Sequence, residues 1–254
     1  MILDSFKLDG KTAMVTGACT GLGEGMAMGL AEAGADIIGV YHRTPPVGVK
    51  RAVEATGRRF VGVQADLGDP SCIGELVDRA IAMCGKVDIL LNNAGIIRRN
   101  DLVDFTETDW DDVMNVNLKS LFLLSQAIAR RMIEQKRGGK IINIASMLSF
   151  QGGIRVPSYT AAKHGVMGLT KIMANELAKF GINVNAIAPG YMATDNTKAL
   201  RQDAKRNADI LARIPVGRWG TPDDLKGAAV FLASAASSYM QGETIAVDGG
   251  WLAR

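Results

Sequence analysis

Seven short runs rich in Ile, Val and Leu recur along the chain, at 12–16, 36–41, 59–64, 89–92, 140–145, 183–187 and 244–247. None alternates cleanly between apolar and polar residues, which is the pattern of strands covered on both faces. Longer stretches with helical spacing fall between them, at 21–33, 47–56, 71–83, 109–135, 159–180 and 223–234. Alternation of this kind builds a parallel sheet with right-handed crossovers and helices on both faces. The expected fold is α/β, a single domain over residues 1–254 with a doubly wound, seven-stranded parallel sheet.

The punctuation agrees with that register. Gly34, Gly57, Gly85, Gly138 and Gly181 each follow a predicted helix, where a left-handed cap favours glycine. Thr221-Pro222-Asp223 reads as the cap and first turn of the last helix. Only 192–215 breaks the rhythm, being polar and helix-prone after Pro189-Gly190. A segment placed there, past the C-terminal ends of the strands, is expected to form a lid over a ligand crevice.

Composition removes other classes. A chain of 254 residues can bury roughly three quarters of its unfolded surface, so it needs no metal or disulfide staple. Cys19, Cys72 and Cys84 are odd in number and lack CxxC spacing, which predicts reduced thiols and a cytoplasmic location. Two histidines, His42 and His164, predict no metal site. A net charge of +3 from scattered basic residues predicts no nucleic-acid partner. No apolar stretch approaches the roughly 20 residues of a membrane span, and residues 1–11 lack the apolar core of a signal peptide.

Glycine is in excess, at 29 residues, and three of these glycines open the chemistry. The first strand ends in Thr16-Gly17-Ala18-Cys19-Thr20-Gly21-Leu22-Gly23, and a helix follows at once. Such a turn lets a pyrophosphate approach the helix N-terminus, where free N–H groups and the dipole favour anions. Tyr159 and Lys163 stand four residues apart at a helix start, on one face. A neighbouring ammonium favours the phenolate, so Tyr159 is a candidate to exchange a proton with an alcohol or carbonyl oxygen. Ser146 ends the preceding strand, where a hydroxyl can stabilise charge developing on that oxygen. Asn92-Asn93-Ala94-Gly95 closes the strand before that, and Asn117 is a polar residue in an apolar helix.

Together with Pro189-Gly190 and Thr194, this set resembles the short-chain dehydrogenase/reductase family, in order and spacing over the whole chain. The resemblance implies a Rossmann fold and an NAD(P)-dependent oxidoreductase. It makes Tyr159 the general acid/base and Ser146 the group orienting the substrate oxygen. Lys163 would hold the nicotinamide ribose and lower the tyrosine pKa, with Asn117 supporting a water-linked proton relay. Gly17, Thr20, Gly21, Leu22 and Gly23 would line the pyrophosphate, Asp66 and Leu67 the adenine, and Asn93, Ala94 and Gly95 the adenosine side. Pro189, Gly190, Met192 and Thr194 would hold the nicotinamide and phosphates. Relatives imply a homotetramer, joined through the helices at 109–135 and 159–180.

The second strand ends in Tyr41-His42-Arg43. Tyr41 stands where an acidic residue would select NAD, and Arg43 could receive a 2′-phosphate. Longer runs, GKIINIASMLSFQGGIRVPSY at 139–159, GIIRR at 95–99, IPVGRWG at 214–220 and the terminal VDGGWLAR, resemble sugar-acid dehydrogenases of the family. Those interconvert 2-keto-3-deoxygluconate and its 5-keto form, which tips the cofactor toward NAD(H), with NADP(H) open. Gluconate 5-dehydrogenases are the alternative. A small keto sugar acid is then the expected partner. Its carboxylate needs a cation, for which Arg99 and Arg155 are the candidates. Gln151 is expected to bind sugar hydroxyls, and Met192 and Trp219 to supply apolar walls. A non-catalytic nucleotide sensor on the same fold is the different-class alternative; the intact Ser146, Tyr159, Lys163 and Asn117 set argues against it.

Overall fold

Seven strands lie side by side in a computed structural model that describes residues 1–254. They are β1 (Thr12–Thr16), β2 (Asp36–Tyr41), β3 (Phe60–Gln64), β4 (Ile89–Asn92), β5 (Gly139–Ile144), β6 (Ile182–Pro189) and β7 (Thr244–Val247). Their order is β3-β2-β1-β4-β5-β6-β7, and every pairing is parallel. From β1 the chain winds outward to β3, then returns to β4 and winds the other way to β7. The C-terminal ends of β1 and β4 therefore flank the place where strand order reverses, which is where open α/β sheets bind ligands.

Nine helices connect the strands: α1 (Gly21–Glu32), α2 (Val47–Ala55), α3 (Ile73–Cys84), α4 (Glu107–Met114), α5 (Ser120–Gln135), α6 (Pro157–Leu177), α7 (Lys198–Gln202), α8 (Ala204–Arg213) and α9 (Lys226–Ala233). Successive strand residues feed opposite layers, as the pleat requires. Ala13, Val15 and Ile37 join Met26 and Leu30 of α1 and Leu232 of α9 in one core. Met14 and Ile38 join Leu76 of α3, Ile128 of α5 and Met173 of α6 in the other. Burial on both faces is why these strands show no alternation. No helix is long and apolar enough to cross a membrane.

Several boundaries differ from the sequence expectation. The predicted helix at 109–135 is two helices joined by a π-helical turn, Asn115–Lys119. The left-handed cap of α5 falls on Lys136, with φ 53, and Gly138 takes a left-handed conformation two residues later. The last predicted helix opens as a 3-10 turn, Pro222–Leu225, and becomes α-helical from Lys226. Thr221 caps that turn, its side chain paired with the Asp224 carboxylate. The segment 192–215 carries a 3-10 turn, Asp195–Thr197, then α7 and α8.

Candidate active site

The glycine turn after β1 is tied down before any ligand is considered. Thr16 Oγ1 accepts from the amides of Asn93 and Ala94, both at 2.9 Å, which locks the ends of β1 and β4 together. Asn93 Nδ2 donates to Thr16 O at 2.9 Å and Gly17 O at 3.3 Å. Its side chain thus braces the turn, a job the adenosine-side assignment did not foresee. Gly23 also has a packing reason: a Cβ there would lie 2.1 Å from Gly17 O and 2.5 Å from Asn93 Nδ2. Leu22 packs against the core beneath.

No side chain caps α1 at Thr20. Its first backbone bond, from Glu24 N to Thr20 O, is a long 3.4 Å, so the amides of Gly21, Leu22 and Gly23 are placed for an anion. Thr194 stands over this end; its Cγ2 is 3.5 Å from where a Gly21 Cβ would be. Beside it a crevice of about 560 Å³ is lined by Gly17, Thr20, Tyr41, His42, Arg43 and Asp66. His42, not singled out in the sequence, lies 3.3 Å from the Asp66 carboxylate, which also accepts from Gly68 N at 2.9 Å. Leu67 O accepts from Ser120 Oγ at 2.7 Å. A bare helix N-terminus beside a crevice of this volume fits a dinucleotide.

Across the switch point, Ser146 follows β5 and is buried. Its amide donates to Ser149 Oγ, which in turn donates to Lys163 O at 2.7 Å, joining the serine loop to α6. Ser146 Oγ accepts from Leu148 N at 3.1 Å. Beneath runs a buried polar chain. Asn92 Nδ2 donates to Ser125 Oγ at 2.8 Å and Asn143 Oδ1 at 2.9 Å, and Asn143 Nδ2 donates to Thr170 Oγ1 at 3.0 Å. It connects β4, α5, β5 and α6, and so sets how far α6 carries Tyr159 toward Ser146. Nothing in the sequence pattern marked Asn143, Ser125 or Thr170 for this work.

Tyr159 and Lys163 do share a face of α6, with the ammonium 5.6 Å from the ring centroid. Lys163 Nζ donates to Ile144 O at the end of β5, and burial pulls its pKa from 10.5 to about 8. The tyrosine pKa does not fall as the sequence led one to expect. Burial raises it, while the adjacent Ser146 hydroxyl and the charge of Arg99 pull the other way. Lys163 is aimed at the Ile144 carbonyl and is itself desolvated, which weakens its hold on the phenolate.

Asn117 lies within the π-helical turn and is buried. Its amide spans the backbone of Ile96, accepting from N and donating to O, both at 2.9 Å. That fixes the loop after β4, and Gly95 passes beside it, its Cβ position 3.3 Å from Asn117 Oδ1. At the end of β6, Gly190 is hemmed in by the Asp248 backbone, 2.6 Å from its Cβ position. Met192 is buried and pairs with Gly220 in a single bridge, so it is part of the core more than a crevice wall. Pro189 ends β6.

The substrate candidates separate. Arg99 faces Tyr159 closely enough for its charge to act on the phenol, and donates to Asn196 O at 3.4 Å. Arg155 is paired with Asp101 at 3.0 Å, in a left-handed backbone of φ 64. Gln151 accepts from Arg213 of α8 at 3.3 Å. Trp219 donates to Asn207 of α8 at 2.7 Å and packs edge-on against Tyr191.

Residues 17–252 match the family described as enoyl-(acyl carrier protein) reductase. The chain belongs to the short-chain dehydrogenase/reductase family. It is an NAD(P)-dependent oxidoreductase of that family. It is 64% identical over 254 residues, with all of both chains covered, to 2-dehydro-3-deoxy-D-gluconate 5-dehydrogenase of Dickeya dadantii. A candidate 2-deoxy-D-gluconate 3-dehydrogenase of Agrobacterium tumefaciens, solved with NADP, is 55% identical with a TM-score of 0.93, over 99% of this chain and 100% of that one. A gluconate 5-dehydrogenase of Burkholderia cenocepacia, solved with NADP and tartrate, is 41% identical with a TM-score of 0.94, over 100% of both.

Proposed function

We propose that this dehydrogenase interconverts 2-dehydro-3-deoxy-D-gluconate and its 5-keto form. The observation that carries the reading is the grouping of Tyr159 with the Ser146 hydroxyl, the charge of Arg99 and the Lys163 ammonium 5.6 Å from its ring. Full-length identity of 64% to a protein of that activity supports the substrate, and tartrate in a related structure supports an acid. A bound nicotinamide supplies or accepts the hydride. The chain does the rest: Ser146 orients the C5 oxygen, and Tyr159 gives that oxygen a proton from its hydroxyl in reduction or takes one as the phenolate in oxidation. Arg99 favours the phenolate and attracts an anionic substrate into the crevice. Asn117 holds the loop after β4, and Lys163 stands behind Tyr159 to reload its proton.

The end of β2 supports NADP(H) over the NAD(H) that resemblance alone suggested. It carries no carboxylate, and Arg43 and His42 line the adenosine side of the crevice. Segment 192–215 acts as the lid, with Thr194 closing on the phosphates. Phe122 of α5 and Ile172 of α6 are exposed apolar side chains, which supports a homotetramer built on those helices. Three free cysteines suit a reducing cytoplasm.

Initial rates with NADH and NADPH, against 5-keto sugar acids and neutral ketones of similar size, test this reading. Turnover of the 2,5-diketo acid with NADPH preferred is the expected result. Activity confined to neutral or acyl-chain ketones would overturn the substrate, and a clear preference for NADH the cofactor.

A further inference from the structure

Arg213 closes the C-terminal end of α8, and several contacts hold it there. Its guanidinium carbon lies 3.9 Å from the centroid of the Trp251 ring. Arg254 Nε donates to Arg213 O at 3.2 Å, and Ile214 next to it is buried with Met147, Ile210 and Trp251. From this mount, Arg213 Nη2 reaches Gln151 Oε1 at 3.3 Å, in the loop between Ser146 and Tyr159. That is a long bond to a neutral acceptor, and Arg213 has no carboxylate partner. Arg155 of the same loop is paired with Asp101, and Arg218 with Asp224; Arg99 and Arg254, like Arg213, meet only backbone or neutral acceptors.

We propose that Arg213 binds the C1 carboxylate of the sugar acid, an inference that rests on the substrate reading above. Stacking on an indole fixes the guanidinium plane and leaves its edge free for a bidentate carboxylate. The reacting carbon, C5, belongs at Ser146 and Tyr159. C1 is four carbon–carbon bonds away, each about 1.5 Å, so the carboxylate needs a partner roughly 5 Å or more from the reacting carbon. Arg99 stands at the reacting end, because its charge acts on the phenol. Arg213 stands at the Gln151 end of the same loop, and a carboxylate is a stronger acceptor than the amide it now meets. Arg155, the other candidate, is neutralised by Asp101 on the exposed side of the loop. Since Arg213 sits on the lid, binding of an acid would also draw the lid down.

Steady-state kinetics of the enzyme with its dinucleotide test this, comparing the 2,5-diketo acid with its C1 carboxamide. Arg213→Met keeps a stem to pack on Trp251 and removes the charge. Its KM for the acid should rise about 10- to 100-fold, the value of a charged hydrogen bond, with kcat little changed and the carboxamide KM unmoved. Arg213→Lys should recover part of the loss. If it alone folds, a raised acid KM beside an unchanged carboxamide KM supports the same assignment. An unchanged acid KM in Arg213→Met overturns the proposal. So do equal losses on acid and carboxamide, or weakened NADPH binding followed by fluorescence, which assign Arg213 to packing. Wild-type enzyme that treats acid and carboxamide alike overturns the sugar-acid reading itself.

Discussion

Tyr159 and Lys163 are each pushed toward neutrality by burial, the phenol upward and the ammonium down to about 8. Replacing Tyr159 by Phe removes the proton donor and leaves the dinucleotide crevice alone. Turnover should fall at least 1,000-fold, on the order expected for losing an acid/base group with its positioning, while NADPH affinity by fluorescence titration stays within error. The lysine makes a second, thermodynamic prediction. Its pKa is about 8 folded against 10.5 unfolded, so between those values the unfolded chain holds the extra proton. Stability from this group therefore rises with pH across that window and is lowest, and flat, below it. Relative to Lys163→Met, the wild type should gain roughly 3 kcal/mol between pH 8 and pH 10.5, measured by urea unfolding. Comparison with the variant cancels the half-buried Lys140, which titrates in the same region.

At the scale of elements, glycines of one composition do opposite things. Gly23 lies in the first turn of α1, and a methyl group there would run into Gly17 O. Gly23→Ala should cost roughly 3 kcal/mol through overpacking and weaken NADPH binding together with stability. Gly48, in α2, has nothing within 4 Å of its Cβ position. Gly48→Ala should instead stabilise by about 0.5–1 kcal/mol, since alanine gives up less backbone entropy in a helix. Chemical denaturation of both variants checks the contrast. The π-helical turn is the other element with a site role. It interrupts what would be one helix and brings Asn117 against Ile96, as π-turns at functional sites often do.

Across the whole molecule, the two halves of the sheet meet at the switch point, and segment 192–215 is the lid proposed above. Thr194 lies close to the start of α1, and α8 bonds through Arg213 to Gln151 in the loop after Ser146. Occupancy of the dinucleotide site should therefore hold the segment down. Limited trypsin digestion at its basic residues, Lys198, Arg201, Lys205 and Arg206, should slow several-fold with saturating NADPH, because local opening governs such cleavage. Equal rates with and without NADPH would mean the segment is not coupled to the site.

Strand positions, layer order and the Tyr159–Lys163–Ser146 set were legible in the residues because each rests on local pattern: apolar runs, cap glycines, and spacing on one helical face. The crevice residues at the ends of β1 and β2 were legible for the same reason, since topology places strand ends together. Partners far apart in sequence were not. Ser125, Asn143 and Thr170 carried no signal until β4, α5, β5 and α6 packed together, Asn92 was marked only as part of the loop motif after β4, and Asn93 proved to brace the turn. Arg155 and Arg213 are both arginines in polar stretches; only the tertiary structure gives one an aspartate and the other an indole and a glutamine. The chain by itself determined the sheet and which residue types could do the chemistry. Packing decided which charges stay free and which pKa values move, because desolvation and pairing depend on neighbours that no local pattern specifies.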